Sequence, residues 1–231
     1  MSSIDLGVYV SSTIELVPFS EIATKIGLTG FTAQTLDNSP IKHLESGISV
    51  LRRSDVIGRG LSAIKRKIAG VRKQSMIVAI PLTTVEIANW AAEDSRVDLL
   101  TVDPTRNHRF RETTAHLAAS SNTCLEIQFA PLLGSIGLER SKILKVYREA
   151  VERAINAGMP IILSSGARHP LGMRSAMAMR HIGLLLGMKS KFAETAVTKT
   201  PFEIMERNQR RFSPEYIDEG IEVVRRGGED G

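Results

Sequence analysis

Ile161-Ile162-Leu163-Ser164-Ser165-Gly166-Ala167-Arg168-His169-Pro170-Leu171-Gly172-Met173-Arg174 reads as a buried strand running into a polar turn. Its first residues form an unbroken apolar run rather than an alternating one, the pattern of a parallel strand covered on both faces by helices. On its N-terminal side, Leu138 to Ala157 carries the clearest helical periodicity of the chain. Ile143, Leu144, Val146, Tyr147, Ala150, Val151, Ala154 and Ile155 sweep one side, and Glu139, Lys142, Arg148, Glu149 and Glu152 hold the other. Gly158 stops that helix, and Met159-Pro160 leads into the strand. Beyond the turn, Leu171 to Leu186 predicts the next helix.

The same alternation recurs along the rest of the chain. Apolar, β-rich runs at Ile4 to Val10, Gly30 to Thr35, Gly47 to Val56, Met76 to Pro81, Leu99 to Val102, Cys124 to Phe129 and Pro160 to Ser165 predict seven strands. Helices are predicted around Ser20 to Ile26, Leu61 to Lys73, Thr84 to Glu93, Asn107 to Ser121, Leu138 to Ala157, Leu171 to Leu186 and Pro201 to Arg211. This βα rhythm in 231 residues fits a single α/β domain, a (β/α) TIM-like barrel that is irregular or incomplete, spanning residues 1–211. An open doubly wound sheet is the runner-up. Residues 212–231 read as a C-terminal extension with a frayed end.

Hydrophobic residues make up 42% and charged residues 24%, so a folded core is expected rather than disorder. Uncharged apolar stretches such as Gly183 to Met188 fall well short of the roughly 20 residues that cross a bilayer, so no membrane association is expected. The first ten residues lack a basic region followed by an apolar one, and the single cysteine, Cys124, cannot form an internal disulfide. Both readings suit a cytoplasmic protein, with Cys124 as a small buried strand residue rather than a nucleophile.

The net charge of +5 is unevenly spread. Residues 52–73 hold eight basic groups (Arg52, Arg53, Arg59, Lys65, Arg66, Lys67, Arg72 and Lys73) against Asp55 alone, and residues 168–211 hold nine basic and three acidic groups. One such run is usually the solvated face of a helix. Two runs brought together by the fold would attract a polyanion, and binding would fall with salt as condensed counterions are released. Aromatic residues amount to only 5%, so a reader of shape and backbone is favoured over a stacking reader of bases.

Chemistry is sparse at the positions where a barrel works, the carboxyl ends of its strands. The five histidines, His43, His108, His116, His169 and His181, are scattered, and no His-x-His pair begins a metal centre. Glu126 lies mid-strand and reads as a paired or solvated acid more readily than as half of a catalytic couple with Asp103 or Asp98. Ser164-Ser165-Gly166 stands where barrels often bind phosphate, a weak signal alone. No nucleophile elbow, P-loop or Cys-x-x-Cys is present.

The 161–174 stretch, followed by Gly183-Leu184-Leu185-Leu186-Gly187-Met188 and by Glu194-Thr195-Ala196-Val197, resembles the barrel subunit of ribonuclease P. That family comprises protein component three in archaea and the thirty-kilodalton subunit in eukaryotes. The resemblance covers about residues 76–211, with Ala176 after Arg174-Ser175 where the family carries a proline. It implies a (β/α) barrel related to metal-dependent phosphoesterases, acting as an RNA-binding subunit that supports a catalytic RNA in removing the 5′ leader of precursor tRNA. It also implies that the Mg²⁺ ions belong to the RNA, so no cofactor or catalytic residue is expected in the chain itself. The implied partners are the ribonuclease P RNA, a second small protein subunit in a heterotetramer with two copies of each, and precursor tRNA indirectly. An autonomous barrel phosphohydrolase and an assembly scaffold without RNA contact are the rival readings.

Arginine can fork two donors onto one phosphate. The expected RNA contacts are therefore Arg52, Arg53, Arg59, Lys65 and Lys67 from the first basic segment and Arg168 and Arg174 from the turn after the last strand. Arg109 and His116, two helical turns apart, join them, with an ion pair to Glu112 as the alternative for that face.

Overall fold

The apolar runs become short parallel strands and the amphipathic ones become the helices packed outside them. The computed structural model describes residues 2–36, 39–106, 110–213, 216–218 and 221–222. In chain order the elements are β1 (Ile4–Asp5), α1 (Leu16–Lys25), β2 (Gly30–Ala33), β3 (Ile41–His43), β4 (Ser49–Asp55), α2 (Leu61–Val71), β5 (Ile77–Pro81), α3 (Val85–Glu93) and β6 (Leu99–Thr101). They continue with α4 (Glu112–Ser121), β7 (Cys124–Gln128), α5 (Ala130–Gly134), α6 (Gly137–Ala157), β8 (Ile161–Ser164), α7 (Ala176–Leu185), α8 (Ser190–Arg210), β9 (Tyr216–Asp218) and β10 (Ile221–Glu222). The parallel order β1-β2-β4-β5-β6-β7-β8 curls into a nearly closed barrel, the predicted fold with one strand fewer than the eight of a regular barrel.

Several boundaries moved, each for a local reason. The expected first strand, Ile4 to Val10, pairs with β2 only over Ile4 and Asp5. Beyond it the hydroxyl of Thr32 wedges between the chains, accepting from the Val8 amide at 3.2 Å and lying 3.0 Å from the Leu6 carbonyl, so a side chain replaces the ladder. Between β2 and β4 the described residues hold no crossover helix; β3 pairs antiparallel with β4 instead. The predicted 171–186 helix splits into a 3-10 turn at Pro170–Gly172 and α7, whose first turn is capped by Ser175 Oγ accepting from Ala178 N. Helix α8 starts well before the predicted Pro201 and runs through it. Proline removes the amide that would bond the Val197 carbonyl, and Ser3 Oγ donates to that carbonyl instead. In the extension, β9 and β10 pair antiparallel.

The core has two parts. A large apolar layer lies between the outer faces of the strands and the helices, built from residues such as Val50, Ile80, Leu100, Ile127, Leu163, Tyr147 and Val151. A smaller cluster, including Ile4, Leu6, Leu51, Ile77, Leu99 and Ile162, fills the lower barrel and is closed by Ile204 of α8. Below it, buried Asp98 binds Arg72 Nη1 at 2.6 Å and Arg207 Nη2 at 2.8 Å, tying α2 and α8 to β6.

The seam between β1 and β8 is closed without a regular ladder. Asp5 Oδ1 accepts from the Gly7 and Ser165 amides, each at 3.1 Å, and the Tyr9 amide donates to the Ala167 carbonyl at 2.8 Å. Gly7 is required there, because a Cβ at this position would stand 2.4 Å from Ser164 Oγ.

Candidate nucleic-acid interface

The upper half of the barrel interior is polar and centred on one guanidinium. Inward residues alternate along each strand, so Arg53 and Asp55 of β4 face Glu126 and Gln128 of β7 across the lumen. Arg53 Nη1 meets Glu126 Oε1 at 2.6 Å and Nη2 meets Oε2 at 2.8 Å, a bidentate pair. Nη2 also reaches Asp55 Oδ1 at 2.7 Å, Nε donates to Asp55 Oδ2 at 3.1 Å, and Nη1 donates to the Leu6 carbonyl. Ser164 Oγ and Thr101 Oγ1 donate to the two Glu126 oxygens at 2.9 and 2.7 Å.

Arg53 is 0% exposed and every donor of its fork faces an acceptor. Burial works against its charge, but Glu126 and Asp55 overcome it and hold its pKa well above the ordinary arginine value. The expectation that Arg53 contacts RNA is therefore corrected: it is the structural cation of the lumen. Asp5, fully buried beside this network, is pushed above the usual carboxylate range mainly by burial. Among the described residues no group of three or more His, Cys, Asp or Glu side chains is placed to hold a metal ion.

Tyr9 connects the lumen to the surface. Its hydroxyl accepts from Gln128 Nε2 at 2.6 Å and from Arg53 Nη2 at 3.3 Å. Over its ring, 4.4 Å from the centroid, lies the exposed guanidinium of Arg168. Arg168 belongs to the turn after β8, whose left-handed start at Gly166, φ +70°, is a glycine conformation. His169 Nδ1 accepts from Leu171 N at 3.3 Å, so the neutral ring carries its proton on Nε2. Arg174 braces the turn, donating from Nη1 to the carbonyls of Leu171 and Met173 at 3.0 and 2.8 Å.

The first basic segment lies elsewhere on the rim. Arg59 is exposed in the loop between β4 and α2, and Lys65, Arg66 and Lys67 are exposed on α2. Lys65 sits over the Trp90 ring of α3, 5.4 Å from its centroid, and Lys67 Nζ donates to the Ile57 carbonyl at 2.6 Å. Arg52 is half-buried on β4, on the strand's outer side, opposite in register to Arg53. The carboxyl ends of β4 and β8 thus carry Arg59 and Arg168 to one end of the barrel, with β1 and β2 between them in the strand order, while Arg72 and Arg207 of the same two segments meet at Asp98 at the other end. His116 is exposed on α4, 4.0 Å from Glu112. Arg109 lies outside the described residues.

Sequence reasoning missed the roles of Tyr9, Asp55 and Gln128. The available signal was spacing by two on neighbouring strands, Arg53 with Asp55 and Glu126 with Gln128, which puts each pair on one face of a strand. Glu126 is the paired acid that its mid-strand position suggested.

The family described as RNase P subunit p30 matches residues 13–213. Ribonuclease P protein component 3 of Methanosarcina acetivorans is 30% identical over 207 residues, covering 89% of this chain and 84% of that one. The protein of the same name from Methanosarcina mazei is 28% identical with the same coverage of each chain. Among solved structures, a chain of an archaeal ribonuclease P determined by cryo-EM with mature tRNA superposes with a TM-score of 0.78 at 16% identity, covering 99% of this chain and all of that one. A histidinol phosphate phosphatase from Lactococcus lactis, complexed with zinc, L-histidinol and phosphate, gives 0.50 at 9% identity over 81% of this chain and 94% of its own. At these identities the structural likenesses speak for the fold.

Proposed function

From the premise that the chain belongs to the RNase P subunit p30 family, we propose that it works in tRNA 5′ maturation by holding the ribonuclease P RNA through exposed and half-buried cations of its strand-end loops and outer helices. The contacts are Arg168 and Arg174 on one side, and Arg59, Lys65, Lys67 and Arg52 on the other, with His116 and Arg109 as flanking contributors. The observation that carries this reading is a division of labour among cations. Arg53, with all its donors engaged, fills the lumen, while Arg168 rests its Cζ over the Tyr9 ring and stays open to solvent. A guanidinium so fixed loses little rotamer freedom when it meets a phosphate.

In this reading phosphodiester chemistry resides in the RNA and its Mg²⁺ ions, and the chain contributes no catalytic group. It pairs with a second small protein subunit, two copies of each forming a heterotetramer, and meets precursor tRNA through the assembled particle in the cytoplasm.

The test is reconstitution with the RNA and the other subunits. Charge reversal at Arg168 and Arg174, and separately at Lys65 and Lys67, should weaken RNA binding and reduce its salt dependence by roughly one unit of log-log slope per lost phosphate contact. Precursor-tRNA cleavage should fall in parallel. Unchanged processing by both sets, or metal-dependent turnover of a phosphoester by the isolated chain, would overturn the proposal.

A further inference from the structure

Between α5 and the turn after β8 lies a cavity of about 390 Å³ that the barrel itself does not use. Its apolar lining forms a shallow floor, open to solvent at Ala130 and Leu133 and buried at Ala167, and Gly134 and Gly166 leave it without side chains at two points. Its rim carries Arg168, His169 and Arg174. We propose that this cavity takes a single unpaired nucleotide of the bound RNA, its base over the apolar floor and beside Arg168, its phosphate on the rim. The inference rests on the RNA-binding reading above and adds the kind of RNA element recognised.

Three features of the cavity match that occupant together. A flat, weakly polar base suits Leu133, which is 41% exposed at the floor, and the Arg168 guanidinium, whose Cζ lies over the Tyr9 ring. A phosphate suits the rim, where Arg168 and Arg174 supply charge and His169 supplies an Nε2–H donor even when neutral. An intact duplex keeps its bases stacked and presents only backbone, so it would meet the rim and leave the floor empty. Leu171 and Met177, 71% and 70% exposed nearby, make a protein side chain the competing occupant.

The experiment measures binding of the full-length chain to a short single-stranded RNA of mixed sequence and to a hairpin of the same nucleotide count, by fluorescence anisotropy. The wild type should prefer the single strand by roughly two- to fivefold, the worth of setting one ring against an exposed guanidinium. Gly134→Leu builds a side chain where an added Cβ meets no heavy atom within 4 Å, so the fold should survive and the preference should collapse toward unity. Leu133→Ser, which removes the floor without adding bulk, should also reduce the preference.

Equal binding of the two RNAs, or a preference untouched by both variants, would overturn the inference. So would loss of the second protein subunit from the reconstituted particle on Gly134→Leu with RNA preference intact, which would assign the cavity to that partner. If the chain binds neither RNA and charge reversal changes nothing, the RNA-binding reading itself fails. If binding depends on Arg168 but shows no single-strand preference, only the nucleotide cavity is refuted.

Discussion

Replacing Arg53 with methionine tests the assignment of this residue to the fold rather than to RNA. The change keeps much of the side chain's length and removes its charge and all its donors. It strands Glu126, which is fully buried, and leaves Asp55, 22% exposed, facing it without a cation. Deleting one partner of a buried ion pair typically costs about 3 to 5 kcal/mol, against a total stability of about 5 to 15 kcal/mol for a domain. For a chain of this size that corresponds to a fall in Tm of about 6 to 20 °C.

Urea unfolding followed by far-UV circular dichroism reads the loss, with the midpoint shifting and the slope unchanged. The salt dependence of RNA binding, measured where the variant is still folded, should equal that of the wild type. Arg53→Met, Glu126→Leu should recover part of the stability, because an apolar pair leaves no uncompensated carboxylate in the lumen. A loss below about 1 kcal/mol, or a salt slope reduced by about one unit in a folded variant, would refute the reasoning. The second result would return Arg53 to the RNA contacts suggested by the sequence.

Asp5 has a folded-state pKa above its unfolded value, so its contribution to stability is complete below the unfolded pKa and is lost as pH rises through the folded one. Asp5→Asn can keep both bonds at Oδ1 while removing the charge, so its stability relative to wild type should improve as pH rises above the unfolded carboxylate pKa and level off once the raised folded pKa is passed; a constant difference throughout would sink this account. Ser3→Ala leaves the Val197 carbonyl without its donor beside Pro201 and should cost about 1 to 3 kcal/mol in chemical denaturation. Cys124, buried and pushed up to about 12, should resist alkylation at pH 8 until the chain unfolds, as mass spectrometry of labelled samples would report. Gly7→Ala, forced against both Oγ and Cβ of Ser164, should cost about 1 to 3 kcal/mol in the same denaturation measurement.

The barrel was legible because its strands and helices obey local rules: continuous apolar runs for β5, β7 and β8, and an amphipathic stripe closed by Gly158 for α6. What escaped was set by long-range partners. Pro201 reads locally as a helix start, yet Ser3, far away in sequence, supplies the bond that lets α8 continue through it. The two-residue length of β1 depends on the Thr32 hydroxyl from another strand. Arg52 and Arg53 look alike in a basic run, and only the register of β4 against its neighbours decides that one faces outward and the other the lumen. The turn after β8 was the legible part of the site, because its glycine, proline and arginines act within one short segment.

Strand register also decides how much of the chain's basic character reaches solvent. A buried pair contributes little to the field outside, because its charges lie close together and cancel at a distance. In residues 52–73 the formal excess includes Arg53, matched by Glu126 and Asp55, and Arg72, matched by Asp98. What remains exposed to solvent in that segment is Arg59, Lys65, Arg66, Lys67 and Lys73, with Arg52 half-buried. In the later segment Arg207 is likewise drawn toward Asp98, while Arg168 stays exposed over an aromatic ring. A carboxylate partner neutralises an arginine's field, whereas a ring orients the cation and leaves its charge for a phosphate. The positive field that this barrel shows to solvent therefore follows from which arginines meet rings or solvent and which meet acids, a property of the folded register rather than of the net charge.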